Sequence, residues 1–190
     1  MTIYALSSGS GISGLAIIRI SGPETKKIIE SLTNSPAPKP RYATLKKFSK
    51  IKSNELIDEG ILLWFPGPQS YTGEDMAELH VHGSRAVVEA MHETISKIEN
   101  CRLAEPGEFT KLAFQNGKIN LLKAESISDL ISAETEMQRH QAIKIMSGKS
   151  SEKFNQLRDR LLKILSNVEA KIDFPEEDLP EDIIKNIKIE

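Results

Sequence analysis

The strongest constraint on the fold is a change of character near Lys118. From Leu121 to Ile172 the chain holds no proline and a single glycine, Gly148, whereas the stretch before it is punctuated by Pro-Gly turns. A proline-free run with Leu157, Leu161, Ile164 or Leu165, Val168 and Ile172 at helical spacing predicts two long helices, whose apolar stripes need further partners. Pro175 is expected to break the second of them.

The preceding part reads as alternating strands and helices. "GLAIIRI" (14–20) is a strand, followed by a turn and a helix over 23–32 that starts near Pro23. "NSPAPKPRY" carries three prolines and is a connector before a strand over 42–49. "IDEGILLWFPGP" reads as a buried strand stopped at Pro66, and "MAELHVHG" alternates as a half-buried strand does. A helix over 84–98 presents Val87, Val88, Met91 and Ile95 on one face; a short strand, a turn at Pro106-Gly107 and a short helix ending near Asn116-Gly117 complete this part.

Composition narrows the class. A net charge of -2 gives no large positive field for recruiting nucleic acid unaided, and no apolar run approaches the roughly 20 residues that cross a bilayer. The lone cysteine, Cys101, has no intramolecular disulfide partner, and the start "MTIYALSS" lacks a secretory layout, so the cytoplasm is the expected compartment. Cys101 is expected to be a small buried hydrophobe.

Three local patterns invite chemistry. Gly9-x-Gly11-x-x-Gly14 matches the dinucleotide fingerprint, but these glycines precede a strand instead of following one, which predicts a loop feeding a strand. Gly148-Lys149-Ser150 resembles the end of a phosphate-binding loop, but its first glycine would fall at Ile143 inside a helix; a helix–helix turn is the expectation. Glu78, His80 and His82 alternate onto one strand face, where they either meet a metal or serve as polar groups lining a cleft; the latter is favoured and no metal is assigned. His92 and His140 are expected at the surface of helices.

The stretches "FPGPQSYTGEDMAELHVHG", "AEPGEFTKLAFQNGKINLLKAESISDLISAE" and "DFPEED", together with "AIIRISGP", closely resemble the N-terminal part of the MnmE (TrmE) tRNA modification GTPase family, in order and along essentially the whole chain. The resemblance implies an α+β architecture: a folate-binding, T-protein-like α/β domain at about 1–118 that forms a homodimer, then the first part of a helical bundle domain over 119–190. It implies that full-length members, with a flavin-dependent MnmG-type partner, add a carboxymethylaminomethyl-type group at carbon 5 of the wobble uridine of certain tRNAs. By this resemblance the sequence stops near the point where the GTPase domain is expected, so GTP, magnesium and potassium sites are not expected in it, nor is GTP hydrolysis.

The family's folate-contacting positions map onto Arg19, Glu78 and Lys118. The implied ligand is a tetrahydrofolate derivative, 5-formyl- or 5,10-methylene-tetrahydrofolate. Glu78 suits the pterin's adjacent amino and ring N–H groups. Arg19 and Lys118 suit either the pterin carbonyl or the glutamyl tail. The competing assignments are an exposed strand arginine, a carboxylate paired with a neighbour, and a lysine at a helix C-terminus. No residue is assigned to catalysis. Two rival functions remain: a free-standing aminomethyltransferase using Asp75 or the His80/His82 pair, and a ligand-free dimerisation scaffold.

Overall fold

The computed structural model describes residues 1–9 and 11–173. It is an α+β protein of two units, Met1–Asn120 and a second beginning at Leu121. The first is built on a six-stranded mixed sheet of order β3-β4-β5-β2-β1-β6. Its strands are β1 (Thr2–Leu6), β2 (Ser13–Ser21), β3 (Thr44–Ser49), β4 (Leu56–Phe65), β5 (Met76–Gly83) and β6 (Cys101–Leu103). Only the β1–β6 pair is parallel.

Period-two alternation divides the sheet into two faces. Ile18, Ile20, Leu62 and Leu79 are fully buried on one face, where α1 (Thr25–Thr33) contributes Ile28, Ile29 and Leu32 and α2 (Arg85–Ser96) contributes Met91 and Ile95. Ser84 starts α2 in extended conformation and accepts the Val87 backbone N–H at its side chain, as a serine N-cap does. Pro23 precedes α1 instead of opening it, since Glu24 holds the cap position.

The other face carries two cross-strand rows. Leu63, Glu78, Arg19 and Ala5 form one, running from β4 through β5 and β2 to β1; Leu45, Ile61, His80 and Ile17 form the other. Leu45 and Ile61 on this face are exposed by 65% and 41%, so no helix of the first unit covers it fully. At Gly60 the backbone of β4 approaches β5 so closely that a Cβ would lie 2.0 Å from the His80 carbonyl oxygen.

Beyond β6 comes α3 (Glu108–Gln115). Among the described residues the second unit has three helices where the sequence pattern predicts two: α4 (Leu121–Ile131), α5 (Glu136–Met146) and α6 (Lys149–Asp173). The extra break is chemical. Thr135 and Gln138 form a reciprocal capping box, which starts α5 without needing proline or glycine. The second break falls at Ser147-Gly148, the expected helix–helix turn. Leu157, Leu161, Leu165 and Ile172 on α6 are each more than half exposed. The break expected at Pro175 lies outside the described residues.

Candidate functional site

The register of β2 against β5 places Arg19 directly opposite Glu78. The guanidinium donates from Nε (3.1 Å) and Nη2 (2.8 Å) to one carboxylate oxygen, Oε1. It also lies 5.7 Å from the ring centre of Tyr71 and 5.6 Å from that of Phe109, within cation–π range. The pair is mostly shielded, with side-chain exposures of 29% and 17%. The second oxygen, Oε2, stands 3.6 Å from His80 Nε2, beyond hydrogen-bond distance. That nitrogen is buried and has no hydrogen-bond partner among the described residues.

Arg19 also lines a cleft of about 360 Å³, bounded by Ala5, Leu6 and Ser7 at the end of β1 and by Ala104–Gly107, Phe109 and Thr110. Its size lies in the lower part of the small-molecule range. The far wall is held in shape by Arg102, which pairs with Glu108; Glu108 in turn accepts the Glu105 N–H at 2.8 Å. The hydrogen bond from Arg102 keeps the Glu108 carboxyl below the ordinary carboxylate range.

Lys118 does not join this pair. Its Nζ donates to the Pro68 carbonyl at 2.8 Å, on the loop preceding β5. The same loop is braced throughout. Tyr71 Oη meets Thr110 Oγ1 at 3.0 Å, Asn116 Nδ2 donates to the Thr72 carbonyl at 2.7 Å, and buried Thr72 Oγ1 meets Ser21 Oγ at 2.7 Å. Ser21 also reaches Glu74 Oε2 at 3.2 Å, and Asp75 Oδ1 accepts the Gly67 N–H at 2.9 Å. Gly73 turns at φ +83°, a region that favours glycine, and sits over the Lys118 stem. Asp75, a catalytic candidate in the aminomethyltransferase reading, is thus a loop clamp.

The histidines diverge. His82 Nδ1 bonds Asp58 Oδ1 at 2.8 Å, which draws it away from Glu78 and His80. Burial alone would raise the Asp58 carboxyl, but the His82 backbone and ring bonds and the Glu59 N–H outweigh it, so it sits below its usual value. Among the described residues no three His, Cys, Asp or Glu side chains are grouped to hold a metal. His92 is not a surface residue: it is half-buried, edge-on to Tyr4 at 5.5 Å, with Nε2 unpartnered, and burial lowers its affinity for a proton. Cys101 packs against the core, and burial pushes its thiol up, the behaviour of an inert cysteine. His80 was singled out in the sequence only as part of a strand-face pattern; that it stands between Ile17 on β2 and Ile61 on β4 follows only from the strand register.

Among the described residues no helix is long and apolar enough to cross a membrane. Residues 2–118 match the family model described as "GTP-binding protein TrmE N-terminus", and residues 121–190 match "MnmE helical domain". The chain is 76% identical over 188 residues to a tRNA modification GTPase MnmE of Pelagibacter ubique, covering 99% of this chain and 42% of that protein. It is 47% identical to the mitochondrial 5-taurinomethyluridine-[tRNA] synthase subunit GTPB3 of Danio rerio, covering 97% of this chain and 37% of that protein. A Parvibaculum lavamentivorans MnmE is 44% identical over 98% of this chain. The chain therefore spans about two fifths of the length of these relatives. An α+β sheet unit matched along nearly its whole length, followed by helices matched to the adjoining domain, identifies the chain as belonging to the MnmE (TrmE) tRNA modification GTPase family, whose N-terminal region it represents.

Proposed function

We propose that this chain forms the tetrahydrofolate-binding and self-associating part of a cytoplasmic tRNA modification GTPase, which works with a flavin-dependent MnmG-type partner on the wobble uridine of tRNA. The observation that carries the reading is the Arg19–Glu78 pair: a carboxylate fixed at one oxygen and open at the other, held by an arginine that lines a cleft of about 360 Å³.

The residues present fit a reduced pteridine. Glu78 Oε2 is an acceptor for the donor edge of the ring, and Arg19 holds the carboxylate oriented. The rings of Tyr71 and Phe109 beside the guanidinium give the site an apolar wall. Lys118, just after α3, is bonded to the braced loop, and release of its bond to Pro68 would free a cation for an anionic tail. When bound, the folate supplies a one-carbon unit; the chain's own contribution is to hold and orient it. The partly uncovered sheet face, with exposed Leu45 and Ile61, supports self-association next to the site.

Calorimetric titration with 5-formyltetrahydrofolate tests the binding. Saturable binding by the wild type and at least tenfold weaker binding by Glu78→Ala are expected; equal affinities would remove the anchor assignment, and no binding by the wild type would remove the folate reading. Sedimentation at tens of micromolar tests the dimer, and a monomer alone would refute it.

A further inference from the structure

Nothing in the Arg19–Glu78 pairing explains why His80 Nε2 is buried without a partner. A buried polar atom left unsatisfied is uncommon, and its desolvation is costly unless a partner arrives. The row that holds His80 offers none: Ile61 and Ile17 stand opposite it on β4 and β2. The charged groups nearby are Glu78, whose Oε2 lies 3.6 Å away, and Arg19, which is engaged on the other carboxylate oxygen. Gly60 holds the β4 backbone tight against the His80 carbonyl.

A neutral imidazole can carry its hydrogen on Nε2. The site then presents an acceptor, Oε2, beside a donor, Nε2–H. A ring edge with N–H beside C=O is the complement, and a 4-oxo pteridine carries that edge at N3 and C4. We propose that His80 is a ligand-specificity residue, donating from Nε2 to the 4-carbonyl while Glu78 takes the neighbouring N–H. This rests on the folate reading above and adds that the site discriminates 4-oxo from 4-amino pteridines.

The test is calorimetry with 5-formyltetrahydrofolate and its 4-amino-4-deoxy counterpart, using the wild-type chain, His80→Gln and His80→Leu. The wild type should prefer the 4-oxo compound by about tenfold, and His80→Gln, which keeps a donor, should stay within about threefold of it. His80→Leu should lose about tenfold for the 4-oxo compound and little for the other. Equal loss for both compounds, or none for either, overturns the proposal while leaving folate binding intact; failure of the wild type to bind either compound removes the folate reading and this inference with it. Should His80→Leu not fold, imidazole ¹⁵N shifts of the wild type decide: ligand must hold Nε2 in its N–H form, and an unchanged tautomer mixture overturns the proposal.

Discussion

Removing the carboxylate at position 78 isolates what the Arg19–Glu78 pair contributes to the fold. Glu78→Leu would leave a guanidinium that is 29% exposed without the oxygen that accepts its Nε and Nη2 bonds. A fully exposed pair is worth about 0–1 kcal/mol, and breaking a fully buried one costs about 3–5 kcal/mol. The partial shielding places the expected loss at about 2 kcal/mol, or roughly 6–10 °C in Tm for a unit of this size. Arg19→Met leaves the more buried partner, Glu78 at 17% exposure, without its counter-ion and should cost at least as much, about 2 kcal/mol. The double variant replaces both charges with apolar groups, so it should be less damaged than the sum of the singles, with a coupling of at least about 1 kcal/mol. Trp64, the single tryptophan, is 6% exposed on β4, so its fluorescence in urea reports this unit directly. Single losses below about 0.5 kcal/mol that simply add would refute the claim that the pair is an interacting, shielded unit.

Gly60→Ala forces a methyl group into the His80 carbonyl and should cost about 3 kcal/mol in urea unfolding, because backbone must move on both strands; a loss below about 1 kcal/mol would contradict the close approach. Thr72→Val strips a fully buried hydroxyl from Ser21 and should cost about 1–2 kcal/mol by the same assay, with chymotryptic cleavage after Tyr71 in the 66–75 loop becoming faster. Because burial holds the His92 imidazole below its ordinary value, the unfolded chain takes up the proton first as pH falls. The stability associated with neutral His92 is intact above pH about 6.5 and declines below it, and His92→Phe should flatten that slope in melts across pH 5–8.

Much of the sheet unit was legible because its signals are local. "MAELHVHG" alternates and becomes β5, and Pro66 ends β4 where a missing N–H must. The helical region misled for the same reason: absence of proline and glycine was read as continuity, while α4 stops at Ile131 and Thr135 and Gln138 begin α5 by hydrogen bonds alone. His92 was placed at the surface because helical spacing does not show that Tyr4, from β1, covers it. The pairing of Arg19 with Glu78 lies beyond local reading altogether. Those residues are 59 positions apart, and only the β2–β5 register brings them together.

The same distinction separates chemistry from scaffolding in the densest motif. In "PGPQSYTGED", Tyr71, Thr72, Glu74 and Asp75 each have a protein partner, so a run of polar residues that reads as reactive is a set of braces tying the loop to Ser21, Thr110 and Gly67. Brace atoms are satisfied within the fold and have little left to offer a ligand. The next residues of the chain differ: Glu78 keeps one oxygen uncommitted and His80 keeps one nitrogen orphaned, 3.6 Å apart on a face that the first unit's helices do not close. The proposed folate site therefore rests on these two atoms standing side by side on an open face, not on an orphaned nitrogen alone, since His92 Nε2 is also unpartnered but packs against Tyr4 with no carboxylate bonded to it among the described residues.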